Sequence, residues 1–135
     1  MREVVGILLV THGNLGRELL NTCELIMGKQ QNVITLSLKY GDSVEKLRQD
    51  VKRSIQVLNH GRGVLVLTDL FGGSPSNVVA HNMRELDFKC LSGVNLPMLI
   101  EAFNFRDSCN LDELIEKTYK AGSDGIKNLG EVIGL

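Results

Sequence analysis

The chain has 135 residues, enough for one hydrophobic core, and we expect one domain over residues 1–135. Its content of 43% hydrophobic and 23% charged residues is ordinary for a soluble globular protein. With 15 basic and 16 acidic residues, the net charge of −1 argues against a surface for nucleic acid or anionic membranes. Arg2 precedes a short apolar run without a small-residue cleavage site, so we expect no signal peptide and a cytoplasmic protein.

The chain contains three cysteines, Cys23, Cys90 and Cys109. Their odd number and the absence of C-x-x-C spacing predict free, mostly buried thiols, as in a reducing cytosol. His60 and His81 have no metal-ligand spacing with the cysteines or with His12, so we expect no metal site. We expect no cofactor either.

An unbroken apolar run, Val4–Val10, has the pattern of a strand buried on both faces of a parallel sheet. It is too short to cross a bilayer. Thr11, His12 and Gly13 follow, and the apolar stripe of a helix over Leu15–Met27 comes next. Since ligands of open α/β sheets bind at the carboxyl ends of strands, His12 is the leading candidate for a functional side chain.

Two more strand–helix units follow the first. Val33–Leu38 is a predicted strand, and Asp42 and Glu45 have the spacing of a capping box at the start of the second helix. Val64–Thr68 is a third buried strand, after which Ser74 is the predicted N-cap of the third helix.

The last part of the chain is less regular. Phe88–Ser92 predicts a weaker fourth strand, and Pro97 suits the start of a short helix. Asn110 and Glu113 repeat the capping-box spacing and open a last helix. The tail Ile126–Leu135 fits either a final short strand or an arm that reaches a neighbouring subunit, and the pattern does not decide between them.

Four strand-to-helix steps predict an α/β fold with an open, doubly wound, mainly parallel sheet and helices on both faces. The expected strand order is 2-1-3-4, with a possible extra C-terminal strand. In this order strands 1 and 3 are neighbours, and the two polar loops follow these strands. The fold therefore brings His12 and Asp69 into one crevice.

Together the two loops carry the groups that reversible phosphorylation of a histidine needs. Imidazole is mostly uncharged at neutral pH, and a nearby helix N-terminus disfavours the imidazolium further. The Asp69 carboxylate could fix its tautomer, as in a catalytic triad. The backbone amides of Gly72, Gly73 and Ser74 could receive the phosphoryl group. Neither loop contains lysine or arginine, which suits a carrier that releases the group better than it suits a phosphatase.

Each feature also has a purely structural interpretation. His12 could simply end a strand, Asp69 could be a turn or capping residue, and the two glycines could serve a tight turn. For Asn95 the structural interpretation, a residue that shapes a loop before a helix, is the better one. The hypothesis of a functional site therefore depends on the combination of these residues.

Three motifs in this order resemble the IIA component of the mannose-type sugar phosphotransferase system. They are Val-Thr-His-Gly (10–13), Asp-Leu-Phe-Gly-Gly-Ser-Pro-Ser-Asn (69–77) and Gly-Val-Asn-Leu-Pro-Met-Leu-Ile-Glu (93–101). Each motif alone is weak, whereas the order and spacing of all three are specific. The resemblance runs from residue 4 to residue 101 in motif and through the last helix in layout.

The resemblance implies a cytoplasmic phosphocarrier. His12 would accept a phosphoryl group at Nε2 from the histidine-phosphorylated carrier protein and pass it to a IIB component, for sugar uptake or a regulatory relay. Asp69 would hold Nδ1, and the loop Gly72–Ser74 would receive the phosphate. The residues near the site would be Thr11, Gly13 and Asn95.

The resemblance also implies a homodimer in which a C-terminal segment can exchange between subunits, which suits the unassigned tail. Contact with the membrane would be indirect, through the transporter complex. Because no IIB part follows within the 135 residues, we expect a free-standing IIA component.

Five rival interpretations fit less well. A histidine phosphatase would have arginine where Thr11 stands, and a tetrapyrrole chelatase would need a second metal-facing group, for which only His81 is available. A receiver-like domain phosphorylated on Asp69 would need an acidic pair after the first strand. A serine hydrolase would need glycine at Ser76, and a flavin or nucleotide site would need a hydroxyl-rich loop after strand one.

Overall fold

The structure is a computed structural model that describes residues 3–135, so Arg2 and the signal-peptide argument lie outside the described residues. In chain order the elements are β1 (Gly6–His12), α1 (Leu15–Met27), β2 (Val33–Leu38), α2 (Val44–Leu58), β3 (Val64–Thr68), α3 (Ser74–Asn82), β4 (Lys89–Ser92), α4 (Leu96–Phe105), α5 (Leu111–Asp124) and α6 (Leu129–Val132). All four strands expected from the sequence are present.

The four strands form one parallel sheet in the order β2-β1-β3-β4, which confirms the predicted order. On one face, side chains of the central strands β1 and β3 pack with α1, α4 and α5; on the other, they pack with α2 and α3. The predicted helices on both faces are therefore confirmed. Because both faces are covered, β1 and β3 consist of unbroken apolar runs rather than alternating ones.

β1 extends two residues beyond the apolar run from which it was predicted. Thr11 and His12 pair in register with Ser37 and Leu38 of β2. His12 was expected just past the end of the strand, and it is instead the last residue of β1. Its backbone is held in the sheet, which fixes the starting point of its side chain.

The start of α2 differs from the prediction by one residue. The N-cap is Ser43, whose hydroxyl accepts a hydrogen bond from the Lys46 amide at 3.1 Å. Asp42 instead accepts from the Lys39 amide at 2.8 Å, within the preceding turn. Asp and Ser are equally good capping residues, and the turn at Lys39 decides which of them caps the helix.

The prediction for α3 is also wrong by one residue. Gly73 is the N-cap, with no side-chain capping bond, and Ser74 is the first helical residue. The Asn77 amide donates to the Gly73 carbonyl at 2.9 Å. At α5, by contrast, both bonds of the predicted capping box between Asn110 and Glu113 are present, at 3.1 and 2.8 Å.

The possible C-terminal strand does not form in the described chain, where the sheet has four strands. The tail contains the four-residue helix α6 instead, and it exposes large apolar side chains. These are Ile126, Leu129, Val132, Ile133 and Leu135. The tail buries little against its own chain, so its structure is not set by the core.

The three cysteines are free, as predicted, and Cys23 and Cys109 are buried. Cys90 is half-buried at the edge strand β4, where burial raises the pKa of its thiol to about 12. None of the helices in residues 3–135 combines the length and the hydropathy needed to cross a membrane.

Candidate functional site

The sheet order brings His12 and Asp69 together. His12 ends β1, Asp69 follows β3, and these strands are hydrogen-bonded neighbours, so their carboxyl ends meet at one edge. Asp69 Oδ2 accepts a hydrogen bond from the His12 backbone amide at 2.9 Å and lies 3.0 Å from His12 Nδ1. The shared crevice expected from the sequence is therefore present. The hydrogen bond from the His12 backbone amide to Asp69 was not predicted from the sequence.

The two side chains differ strongly in exposure, 48% for His12 and 10% for Asp69. A carboxylate only accepts hydrogen bonds, so its contact assigns the ring hydrogen to Nδ1. In the neutral imidazole, Nε2 then keeps a free electron pair. The other carboxylate oxygen, Asp69 Oδ1, is buried and has no hydrogen-bond partner among the described residues. The carboxylate therefore acts on the histidine through one oxygen.

The loop Gly72–Ser74 passes directly beside the imidazole. Gly72 has a φ of +89°, a left-handed conformation that favours glycine. A Cβ atom at Gly73 would lie 2.8 Å from His12 Cε1. Because the first amides of a helix have no partner within the helix, the start of α3 offers hydrogen-bond donors next to the ring.

Thr11 and Gly13 lie on either side of His12 and shape the backbone there. The buried Thr11 hydroxyl accepts from the Gly16 amide at 2.9 Å, so it caps α1 from the end of β1. Asn14, the N-cap by position, makes no side-chain capping bond. Gly13 turns the chain with a φ of +55° and donates its amide to the Leu38 carbonyl at 2.8 Å.

Asn95 caps α4 and also joins it to α5. Its Oδ1 accepts from the Met98 amide at 3.0 Å, and its Nδ2 donates to the Gly122 carbonyl at 3.1 Å. Neither contact involves His12. Asn95 and Phe71 line the same cavity of 430 Å³, which begins beside the loop after β3.

Large apolar side chains surround the site, and the sequence analysis missed them. We call this set the apolar rim: Leu15, Tyr40, Val44, Leu70 and Phe71. They lie in or just after the loops that follow β1, β2 and β3, and Phe71 is 86% exposed. The sequence signal was the pair Leu70-Phe71, which stands between an aspartate and two glycines. This pair lies in a loop, outside the strands and helices that bury apolar side chains.

The family model described as "PTS system fructose IIA component" matches residues 6–119. The chain belongs to the mannose-type IIA family of the sugar phosphotransferase system. The IIA family fold is also seen in the phosphotransferase system component EIIA from Streptococcus agalactiae, whose crystal structure is 34% identical in sequence, with a TM-score of 0.85. That comparison covers 94% of this chain and 98% of the other. A PTS IIA protein associated with the fucose utilization operon of Streptococcus pneumoniae also has a TM-score of 0.85, at 31% identity over 98% and 99% of the two chains.

Among curated relatives of this IIA chain is the PTS system mannose-specific EIIAB component of Escherichia coli K12. The two sequences are 33% identical over 127 residues, which is 93% of this chain and 39% of the relative. The chain thus spans about two fifths of the length of that relative. Membership of the IIA family does not favour the phosphatase or the chelatase interpretation. Within residues 3–135, no three His, Cys, Asp or Glu side chains gather as metal ligands would.

Proposed function

We propose that this IIA chain is a phosphocarrier that works through a phosphohistidine at His12 Nε2. The observation that carries the proposal is the 3.0 Å contact between the mostly buried Asp69 carboxylate and His12 Nδ1. This contact occupies one ring nitrogen and leaves Nε2 as the nucleophile, next to the amides at the start of α3. Family membership supports the same assignment.

The transfer itself is a displacement at phosphorus. The electron pair of His12 Nε2 forms the new N–P bond while the N–P bond of the donor phosphohistidine breaks, and the donor imidazole keeps that electron pair. His12 then carries a positive ring charge, which the Asp69 carboxylate stabilises through Nδ1–H. The transition state is loose, so the amides of Gly73 and Ser74 contribute mainly by holding the phosphoryl oxygens.

Transfer of the phosphoryl group to the IIB component is a second displacement at phosphorus, in which His12 is the leaving group. A nucleophile of the IIB component attacks phosphorus, and the N–P bond at Nε2 breaks. The donors at the start of α3 are backbone amides, which hold a phosphate less tightly than an arginine cluster would. The site is therefore suited to release the group again.

Donor and acceptor in this proposal are proteins, the histidine-phosphorylated carrier and a IIB component. The apolar rim supports this choice, because exposed large apolar side chains around a site are typical of protein interfaces. A small-molecule substrate would leave Leu70 and Phe71 exposed to water, whereas a protein partner would cover them. The free thiols suit a cytoplasmic location, where both partners would be met.

We also propose that the chain acts as one domain and forms a homodimer through its tail. The tail exposes five large apolar side chains, and β4 is a sheet edge that no strand of the described chain covers. The cavity of 430 Å³ beside β4 is lined partly by apolar side chains, among them Leu91, Met98 and Tyr119. Two copies could each place a tail against the other's β4 edge, which closes the assembly symmetrically.

The phosphocarrier role is tested with labelled phosphoenolpyruvate and the general phosphotransferase proteins. We expect acid-labile, base-stable label on the wild type and none on His12→Ala. His60→Ala is the matched control, because His60 is exposed and lies between α2 and the start of β3, at the end of the sheet where the strands begin. It should be labelled like the wild type. Label on His12→Ala would exclude the assignment.

A further inference from the structure

Gly73 lies against the imidazole at the atom between its two nitrogens. A Cβ atom at Gly73 would be 2.8 Å from His12 Cε1 and 3.4 Å from Nε2. Real side chains do not approach to 2.8 Å, so a methyl group and the imidazole cannot occupy their present positions together. The imidazole of His12 therefore lies in the space that a side chain at residue 73 would fill.

The backbone itself does not require glycine at this position. Gly73 has φ −84° and ψ 169°, which any L residue adopts, whereas Gly72 has φ +89°. Apart from His12, the nearest atom to the missing Cβ is the Leu70 carbonyl oxygen at 3.8 Å, an ordinary contact. The space at Gly73 is thus explained by the imidazole alone.

We propose that Gly73 is a positioning residue for phosphoryl transfer, because its bare Cα and the Asp69 carboxylate together hold the His12 ring in one orientation. This proposal rests on the proposed phosphocarrier function. It is separate from the role of the Gly73 amide as a phosphate donor, since an alanine at this position keeps that amide.

The structure predicts how the ring responds when the space is filled. The His12 side chain is 48% exposed, so it can turn towards solvent at little structural cost. Turning breaks the 3.0 Å contact between Nδ1 and Asp69 and moves Nε2 away from the start of α3. A methyl group at Gly73 therefore disturbs the reacting group and leaves the fold in place.

The first test is Gly73→Ala in the full chain. We expect phosphoryl transfer to be about tenfold to hundredfold slower, the loss typical of a misplaced reacting group. The fold should be kept, with only the modest loss of stability that alanine causes at the N-cap of α3. The second measurement is nitrogen NMR of the unphosphorylated protein, which reports the tautomer of His12. This tautomer would not change if Gly73→Ala disturbed only the binding of phosphate. The wild type should carry its hydrogen on Nδ1, and Gly73→Ala should lose this fixed tautomer.

A double variant shows whether Gly73 acts through the Asp69 contact. Because both residues hold the same ring, Asp69→Asn/Gly73→Ala should be no slower than the slower single variant. Additive losses would overturn the proposal. A slow Gly73→Ala that keeps the wild-type tautomer would overturn it too, as would a wild-type rate.

Should Gly73→Ala be destabilised, the decisive comparison is His12→Ala/Gly73→Ala. Removing the imidazole frees the space, so Gly73→Ala should lower the thermal midpoint less in the His12→Ala background than in the wild type. The part that remains is the cost of alanine at an N-cap. An equal loss in both backgrounds would show that the methyl group does not meet the imidazole and would overturn the proposal. If the wild type takes up no phosphate, the phosphocarrier function fails, while the tautomer measurement still decides the role of Gly73.

Discussion

Asp69 Oδ2 accepts both hydrogen bonds that tie the carboxylate to His12, one from the backbone amide and one from Nδ1. A carboxylate with 10% exposure is expensive to bury unless it is hydrogen-bonded, so these two donors offset the cost. The buried Oδ1 has no partner among the described residues, which makes Asp69 dependent on His12. The acid thus fixes the ring, and the ring helps to keep the acid in place.

Asp69→Asn tests the role of the carboxylate in transfer. The amide keeps the shape but removes the charge that would stabilise the phosphorylated ring in the proposed mechanism, so we expect transfer to slow about a hundredfold or more. The rate is measured by uptake of labelled phosphate. Asp42→Asn is the matched control, since Asp42 lies in the loop after β2 and its carboxylate accepts from the Lys39 amide at 2.8 Å. An unchanged rate in Asp69→Asn would remove its orienting role.

The sequence was sufficient to predict that His12 and Asp69 lie in one crevice, because each follows an unbroken apolar run and the carboxyl ends of such strands meet at one edge of a parallel sheet. It could not separate the roles of the neighbouring glycines. Gly72 is needed for its positive φ, whereas Gly73 is needed for the space beside the ring. That difference depends on a through-space contact with a residue 61 positions away along the chain, between 12 and 73.

At the scale of elements, β1 and α1 are joined by a side chain at the end of the strand. The Thr11 hydroxyl accepts from the Gly16 amide inside the first turn of α1. The contact is close, since a Cβ at Gly16 would be 3.2 Å from Thr11 Oγ1. The turn that follows His12 is therefore fixed at both ends by the two elements it connects.

Thr11→Val tests this cap with almost no change in volume. The variant leaves the Gly16 amide buried without an acceptor, and we expect a loss of about 1–3 kcal/mol in the free energy of unfolding. Chemical denaturation measures this loss. Thr118→Val is the control, because Thr118 is equally buried but its hydroxyl has no hydrogen-bond partner among the described residues. Equal losses in both variants would contradict a capping role for Thr11.

Periodicity was enough to predict every strand and the main helices, but not the residue at which each helix begins. Two good capping residues stand next to each other at Asp42-Ser43, and the turn back to Lys39 decides between them. At α3 the N-cap is Gly73 instead of the predicted Ser74, and His12 leaves no space for a side chain at Gly73. The first error comes from a hydrogen bond between residues three apart, and the second comes at a residue that contacts the end of β1.

At the scale of the whole molecule, two exposed apolar surfaces adjoin at Phe71. The carboxyl edge holds His12 and the apolar rim, and Phe71 of the rim also lines the cavity that is bordered by β4 and by Ile126 of the tail. The sequence could not decide the structure of the tail, because its apolar side chains find little of their own chain to cover them. Local hydrogen bonds hold α6, such as the one from the Val132 amide to the Asn128 carbonyl at 3.0 Å. A second copy is the partner that we propose for its exposed side chains.

Leu129→Asp/Ile133→Asp tests the homodimer. We expect the wild type to sediment as a dimer and the variant as a monomer that still accepts phosphate on His12. The two copies together bury four such side chains, which contribute about 6–12 kcal/mol, so their loss should raise the dissociation constant by about 10⁴-fold or more. Val57→Asp is the control, since Val57 is also exposed and apolar but lies on α2, across the sheet from α5 and the tail. A monomeric wild type, or a variant that stays dimeric, would show that the exposed tail serves another purpose. A dimer lost only in the tail variant would tie the apolar tail to assembly.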